Sequence, residues 1–219
     1  MSSIILLTTT VNVQDKNALR EINPLERIAT YTKSLSQWLE KTKLRIVVIE
    51  NTGHSFPEWE EWKEKYSDRL EVLSFRESDL EEAEYLKGNK SKGASEIFAI
   101  NYAHSHSKWI RDVYFLIKIT GRFFIPGLES YLENIPLDQY DVLKQNNILY
   151  CQLMGVRLSL FLTLFHGDLI DKNGKYIENV EEIYVERMMD FLEERRLICP
   201  VFPIEPTLEG GGPNIFHQL

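Results

Sequence analysis

Arg111-Asp112-Val113-Tyr114-Phe115-Leu116-Ile117-Lys118-Ile119-Thr120-Gly121-Arg122-Phe123-Phe124 is the stretch that decides the layout of the chain. The almost wholly apolar run from Val113 to Ile117 predicts a buried strand, since uninterrupted apolar runs of this length belong to strands covered on both faces. The run breaks into Lys118-Ile119-Thr120-Gly121-Arg122, which sets two cations and a hydroxyl beside the residue that lets a backbone turn sharply. Open α/β sheets meet anionic ligands at the carboxyl ends of their strands, so a strand delivering cations there marks a candidate site. A turn carrying solvated charges accounts for the same residues, and the rest of the chain has to arbitrate.

Upstream, Ile4 to Leu7 predicts a first strand that ends in Thr8, Thr9 and Thr10. Pro24 to Lys41 carries Leu25, Ile28, Ala29, Leu35, Trp38 and Leu39 at helical spacing. Leu44 to Ile49 is a second apolar strand closed by Glu50-Asn51-Thr52-Gly53. Phe56 to Tyr66 has helical spacing, and Leu70 to Phe75 alternates like a third strand. A long charged stretch, Arg76 to Lys92, precedes a helix over Ala94 to Ser107. Strand, helix, strand, helix, strand, loop, helix, strand is the alternation of a parallel sheet with helices on both faces. Beyond Arg122 the order loosens. Leu128 to Leu132 predicts a short helix, Asp141 to Lys144 a short strand, Ile148 to Phe165 either two strands or a strand and a helix, and Val180 to Leu192 a firm helix. The expected fold class is α/β, one domain over 1–219 with a mostly parallel central sheet flanked by helices.

Size and composition agree. The chain has 219 residues, 43% hydrophobic and 26% charged, ordinary values for a globular protein. A formal net charge of -8 excludes a general nucleic-acid binder, which needs a basic face. Cys151 and Cys199, far apart and without a CxxC, offer neither a zinc site nor a disulfide framework, and both are expected in the core. The apolar segments are too short for a signal peptide or a membrane span, so the chain is expected in the cytoplasm.

Every strand of the N-terminal half ends in residues suited to a nucleotide. Thr8, Thr9 and Thr10 offer hydroxyls, while Glu50 and Asn51 suit a base edge or a ribose. Lys92-Gly93 opens a helix whose N-terminus favours an anion. Lys118, Thr120, Gly121 and Arg122 close the fourth strand. Taken singly, each has a bland alternative as β-former, solvated turn or surface lysine; their common edge is the argument. Glycine fingerprints for dinucleotides and P-loops are missing, which disfavours hydride transfer and P-loop phosphotransfer.

Lys92-Gly93 with Glu96, followed by Lys118-Ile119-Thr120-Gly121-Arg122-Phe123, resembles a group of bacterial and large-virus glycosyltransferases of the GT-A type. These carry a K-G-x-x-E helix start and a K-x-T-G-R-[YF] strand end. The resemblance covers about residues 4 to 125 well and the remainder loosely. It implies a donor-binding half over about 1–125 and an acceptor or catalytic half over about 126–219, in a chain that is a module of a longer protein or a whole one. It implies transfer of a sugar from a nucleoside diphosphate, uridine diphosphate foremost, to a hydroxyl of a glycan or glycoprotein acceptor. Members of the wider superfamily hold Mn2+ or Mg2+ with Asp-x-Asp at the fourth strand end, and here that position reads Lys118-Ile119-Thr120. Either Lys118 and Arg122 neutralise the diphosphate themselves, or the metal sits on the acidic pair Glu77 and Asp79 after the third strand.

An inverting reaction needs a base for the acceptor hydroxyl. Glu182 and Glu186, four apart on the firm helix, are the candidates, with Asp168 the loop alternative. Gly210-Gly211-Gly212 is either a flap over the diphosphate or a loose end. Two other functions fit the same fold. One is a nucleotide-sugar-binding module without catalysis. The other is a sugar-phosphate nucleotidyltransferase, against which the glycine-free stretch Thr8 to Asn17 argues.

Overall fold

A computed structural model describes residues 2–13, 23–89, 91–169, 179–194, 196–208 and 214–219. Its centre is a seven-stranded sheet in the order β3-β2-β1-β4-β6-β5-β7. The strands are β1 (Ser3–Thr9), β2 (Arg45–Glu50), β3 (Leu70–Ser74), β4 (Phe115–Thr120), β5 (Val142–Lys144), β6 (Leu153–Arg157) and β7 (Leu197–Ile198). Pairings β1–β2, β2–β3, β1–β4 and β5–β7 are parallel, and only β6 runs against its neighbours β4 and β5. The expected α/β class with a mostly parallel sheet is what the chain forms.

The uninterrupted apolar runs are explained by two covered faces. Ile5, Leu7, Ile46, Val48, Phe115, Ile117 and Ile119 pack with Tyr31, Leu35, Trp38 and Leu39 of α1 (Pro24–Lys41). Ile4, Leu6, Val47, Ile49 and Leu116 pack with α3 (Lys92–His106), α5 (Phe161–Phe165) and α6 (Val180–Glu193) on the other face. Helix α1 starts where Asn23 caps the Leu25 N–H at 3.0 Å with Pro24 in the first turn. The Trp38 indole N–H donates to the Phe123 carbonyl at 3.0 Å, pinning the segment after β4 to that helix. Leu25, one of the residues at helical spacing, is exposed.

Two further differences in secondary structure stand beside the agreements. The stretch Phe56 to Tyr66 splits into a 3-10 turn and the short α2 (Glu60–Lys65). Ile148 to Phe165 resolves as the strand-and-helix alternative, β6 then α5, and α4 (Leu128–Asn134) stands as expected. The proline-rich tail folds into a hairpin of β8 (Pro203–Leu208) and β9 (Ile215–Gln218), which sequence periodicity did not indicate. Cys151 is buried as expected, whereas Cys199 is exposed. The Gly210-Gly211-Gly212 run lies outside the described residues.

Candidate functional site

Strand order marks the place where open α/β sheets bind ligands. Chain progression runs from β1 outward to β2 and β3, then returns to place β4 on the other side of β1. The crevice at such a reversal, beyond the carboxyl ends of the strands, is where open α/β sheets bind ligands. Thr8 and Thr120 are register partners at that point, so the threonines of β1 and the end of β4 flank the crevice.

The two motifs prove to be halves of one device. Strand β4 extends through Thr120, so Lys118 lies within the sheet and fully buried, and is not a free cation past its end. Its ammonium pairs with the Glu96 carboxylate at 2.8 Å and donates to the Cys151 carbonyl at 2.7 Å. Glu96 Oε1 also accepts from the Thr8 hydroxyl at 2.7 Å. Burial pulls the Lys118 pKa down, but the charge and hydrogen bond of Glu96, together with Cys151 and Glu181, more than offset it, and the group titrates above an ordinary lysine. Gly93 is there for steric reasons, since a Cβ would lie 2.4 Å from Val180 Cβ; the glycine lets the starts of α3 and α6 touch. Gly121 is constrained in the same way, because its Cβ would meet Thr9 Cγ2 at 2.6 Å and the Thr8 carbonyl oxygen at 2.9 Å. The Gly121 N–H donates to that same carbonyl at 2.8 Å, locking the turn after β4 onto the end of β1.

Arg122 departs from the expected grip. It is buried on the α1 side of the sheet, lining a cavity with Thr30, Ser34 and Phe124, while Lys118 faces α3. Lys92 is exposed at the first turn of α3. The three cations therefore do not converge on one pocket, and the expectation that Lys118 and Arg122 jointly clasp a diphosphate is corrected. The cause is register: a strand that ends at Thr120 sends Lys118 to one face, and the Gly121 turn sends Arg122 to the other.

Glu50 is also absorbed into structure. Fully buried, its carboxylate accepts from the Val11 N–H at 2.9 Å, the Thr52 N–H at 2.9 Å and the His54 N–H at 2.8 Å, with the Thr52 hydroxyl as a fourth donor. It staples the loops after β1 and β2 and has no carboxylate oxygen left for a ribose. Thr9 donates to the Ile49 carbonyl at 2.9 Å, and Thr10 to the Asn51 side-chain oxygen at 2.8 Å. The strand ends thus form one hydrogen-bonded rim.

Beside Lys118 the sheet carries further polar groups that sequence reasoning missed. Lys118 and Lys144 both lie opposite Met154 in register, on the face toward α3 and α6. Lys144 is fully buried and its ammonium has no hydrogen-bond partner among the described residues. Burial lowers its pKa to about 8, with Lys118 adding to the fall. The Cys151 thiol, pushed up by burial, donates to Glu181 Oε1 at 3.2 Å. Tyr184, on the next turn of α6, buries a hydroxyl without a hydrogen-bond partner among the described residues, and burial holds its pKa well above the usual value. The carboxylate that α6 brings to this cluster is therefore Glu181. Glu182 accepts from the Asn179 amide at 3.2 Å, Glu186 lies one turn further along, and the Asp168 carboxylate lies 3.5 Å from the His166 ring in its exposed loop.

A divalent metal does not fit what is gathered here. Glu77 accepts from the Asn51 amide at 3.4 Å and Asp79 is bonded by Ser78 at 3.1 Å. Among the described residues no group of three or more His, Cys, Asp or Glu side chains comes together. At the fourth strand end the chemistry is an ammonium already paired with Glu96, a poor donor set for a hard cation.

No protein-family model matches the chain, and no curated protein matches it. Solved structures do. A provisionally assigned nucleotide-diphospho-sugar transferase of Desulfovibrio desulfuricans aligns with 91% of this chain and 80% of its own, at 14% identity and a TM-score of 0.51. The bifunctional glycosyltransferase WbbM aligns with 91% of this chain and 38% of its own, at 9% identity and a TM-score of 0.57. The glycosyltransferase GlyE of Streptococcus pneumoniae aligns with 91% and 45%, at 9% identity and a TM-score of 0.53. The chain spans less than half the length of the last two. What such distant pairs share is the fold: this is a mixed α/β chain with the GT-A-like architecture of the nucleotide-diphospho-sugar transferases.

Proposed function

We propose that the protein is a glycosyltransferase that moves a sugar from a nucleoside-diphosphate sugar to an acceptor hydroxyl in glycan or polysaccharide synthesis. The observation that carries this reading is the Lys118–Glu96–Thr8 chain, standing at the β1/β4 reversal of a sheet with this architecture. It favours a polar, positionally fixed crevice where a donor is held.

In the proposed reaction the bond from the anomeric carbon to the diphosphate breaks, its electron pair leaving with the diphosphate. A bond from the acceptor oxygen forms, and the hydroxyl proton passes to a carboxylate. Lys144 suits the leaving group, since a buried ammonium without a hydrogen-bond partner among the described residues gains most from an arriving anion. Lys92, exposed at the start of α3, supplies a second positive charge. Glu181 suits the base: it faces the cluster, and the Cys151 thiol occupies only Oε1. Glu182 is its neighbour on the helix and the alternative base. Of the rim hydroxyls, Thr8 and Thr10 already donate to Glu96 and Asn51, so Thr120, which accepts from Lys118 at 3.4 Å, is the one suited to donate to a phosphate or the sugar.

The test is diphosphate release from a panel of nucleotide sugars, with and without added manganese. Slow release from one donor, lost in Glu181→Gln with donor affinity kept, supports the transferase. Binding without release identifies a non-catalytic module. Formation of nucleoside triphosphate on adding pyrophosphate identifies a nucleotidyltransferase.

A further inference from the structure

The rim after β2 and β3 carries an exposed cation that the fold does not use. The Phe75 N–H donates to the Glu50 carbonyl at 3.0 Å and the Glu77 N–H to the Asn51 carbonyl at 3.1 Å. Arg76, between them, faces Thr52 across an antiparallel bridge, so its backbone is fixed. Its side chain folds over Gly53, whose φ of +86° suits glycine alone. A Cβ there would lie 3.1 Å from Arg76 Nε, 3.4 Å from its Cβ and 3.5 Å from Nη2. Arg76 is exposed, yet it lies along bare backbone at a strand end.

Acidic neighbours leave it alone. Glu77, Asp79 and Glu84 follow closely in the chain, but they turn elsewhere. Glu77 accepts from the Asn51 amide at 3.4 Å, Asp79 from the Ser78 hydroxyl at 3.1 Å, and Glu84 pairs with Lys87 at 3.2 Å. The Arg76 guanidinium has no hydrogen bond or ion pair among the described residues. It presents a planar fork of donors and no acceptor.

On the reading proposed above, on which this inference rests, the reacting end of the donor lies at β4 and β6, beside Glu181. The nucleoside then extends the other way along the carboxyl edge, over β1 toward β2 and β3. Strands step about 4.8 Å, so the end of β3 stands about 10 Å from that of β1. Hydrogen bonds from Thr10 to Asn51 and from Asn51 to Glu77 keep these ends one rim. Glu50 and Asn51 are engaged in that rim, which leaves Arg76 as its open donor. A guanidinium fork reads two neighbouring acceptors. Guanine offers O6 and N7, and cytosine offers O2 and N3. Uracil separates its two oxygens by an N–H, and adenine flanks N1 and N7 with a donating amino group.

We infer that Arg76 is the specificity-determining residue for the base of the donor, selecting guanosine or cytidine diphosphate over the uridine and adenosine forms. This differs from the uridine that the sequence resemblance implies.

Calorimetric titration with GDP, CDP, UDP and ADP tests it, and the GDP and CDP arms tell the two bases apart. GDP or CDP is expected to bind about tenfold more tightly than UDP and ADP, the margin of one bidentate contact. Arg76→Gln, an exposed substitution, should erase that margin with UDP affinity kept. Arg76→Lys retains the charge but loses the fork, and should restore little of the margin. UDP or ADP binding as tightly as GDP and CDP overturns the inference and leaves the donor site standing. So does a preference that survives Arg76→Gln or returns in full with Arg76→Lys. Binding of none of the four removes the donor site itself, and the inference with it.

Discussion

Replacing Lys144 by methionine should stabilise the protein at neutral pH, by an amount that shrinks as pH rises. Methionine keeps the unbranched stem in its slot and removes the buried ammonium, which has no hydrogen-bond partner among the described residues. The folded pKa is about 8 against an ordinary 10.5. Between those values the unfolded chain holds a proton that the folded chain has released, so stability rises with pH across that window. Below it the fold carries the whole cost, about 3 kcal/mol for a fall of this size. Wild type should therefore gain on Lys144→Met as pH climbs from 8 to 10.5, with the difference near its maximum at pH 7 and nearly gone above the window. Cys151 and Tyr184, kept protonated by burial, impose the opposite slope, but on both proteins, and cancel in the difference. Urea unfolding of the two proteins across about pH 6 to 11, a range that brackets both pKa values, gives that difference directly. A variant less stable than wild type at pH 7, or a gap that ignores pH, would refute the reasoning.

Other perturbations probe the remaining parts. Glu96→Gln should cost about 3–5 kcal/mol because it strands the fully buried Lys118 ammonium, Lys118→Met should cost less because the Glu96 it leaves is partly exposed, and the double variant should cost clearly less than the sum; denaturant midpoints for the four proteins supply the cycle. Glu50→Gln leaves one acceptor oxygen where two served the Val11, Thr52 and His54 N–H groups, so it should lose about 2–3 kcal/mol and speed hydrogen exchange at those amides. Gly121→Ala places a methyl 2.6 Å from Thr9 Cγ2, and a loss of about 1–3 kcal/mol with weakened donor binding is expected from overpacking at that turn.

Much of the fold was legible because it rests on runs that elementary patterning sees. Ile4 to Leu7, Leu44 to Ile49 and Val113 to Ile117 are apolar without interruption since the sheet is covered on both sides. The end of β4 was not legible. A lysine after an apolar run looks like an exit to solvent, and only Glu96, far earlier in the chain and on another element, makes Lys118 an interior residue. Lys144 misleads in the same way at the end of β5. The hairpin β8–β9 was hidden by Pro203 and Pro206, which argue against a central strand yet are tolerated where two strands pair only with each other. Glu181 was passed over because spacing favoured Glu182 and Glu186; which residue of that turn faces the cluster depends on how Ile183, Tyr184 and Met188 seat the helix. The short motifs were informative for a reason spacing cannot reveal: their lysine, glutamate and two glycines are one interlocked set of contacts.

Hydrogen–deuterium exchange with and without a panel of uridine- and guanosine-diphosphate sugars tests the central proposal most directly. The account predicts that one donor slows exchange at the amides of Val11, Thr52 and Gly121, the rim around the β1/β4 reversal. If no donor slows them, or if the only slowing falls between α1 and the β8–β9 hairpin, a nucleotide sugar does not sit where the strands end and the assignment is wrong.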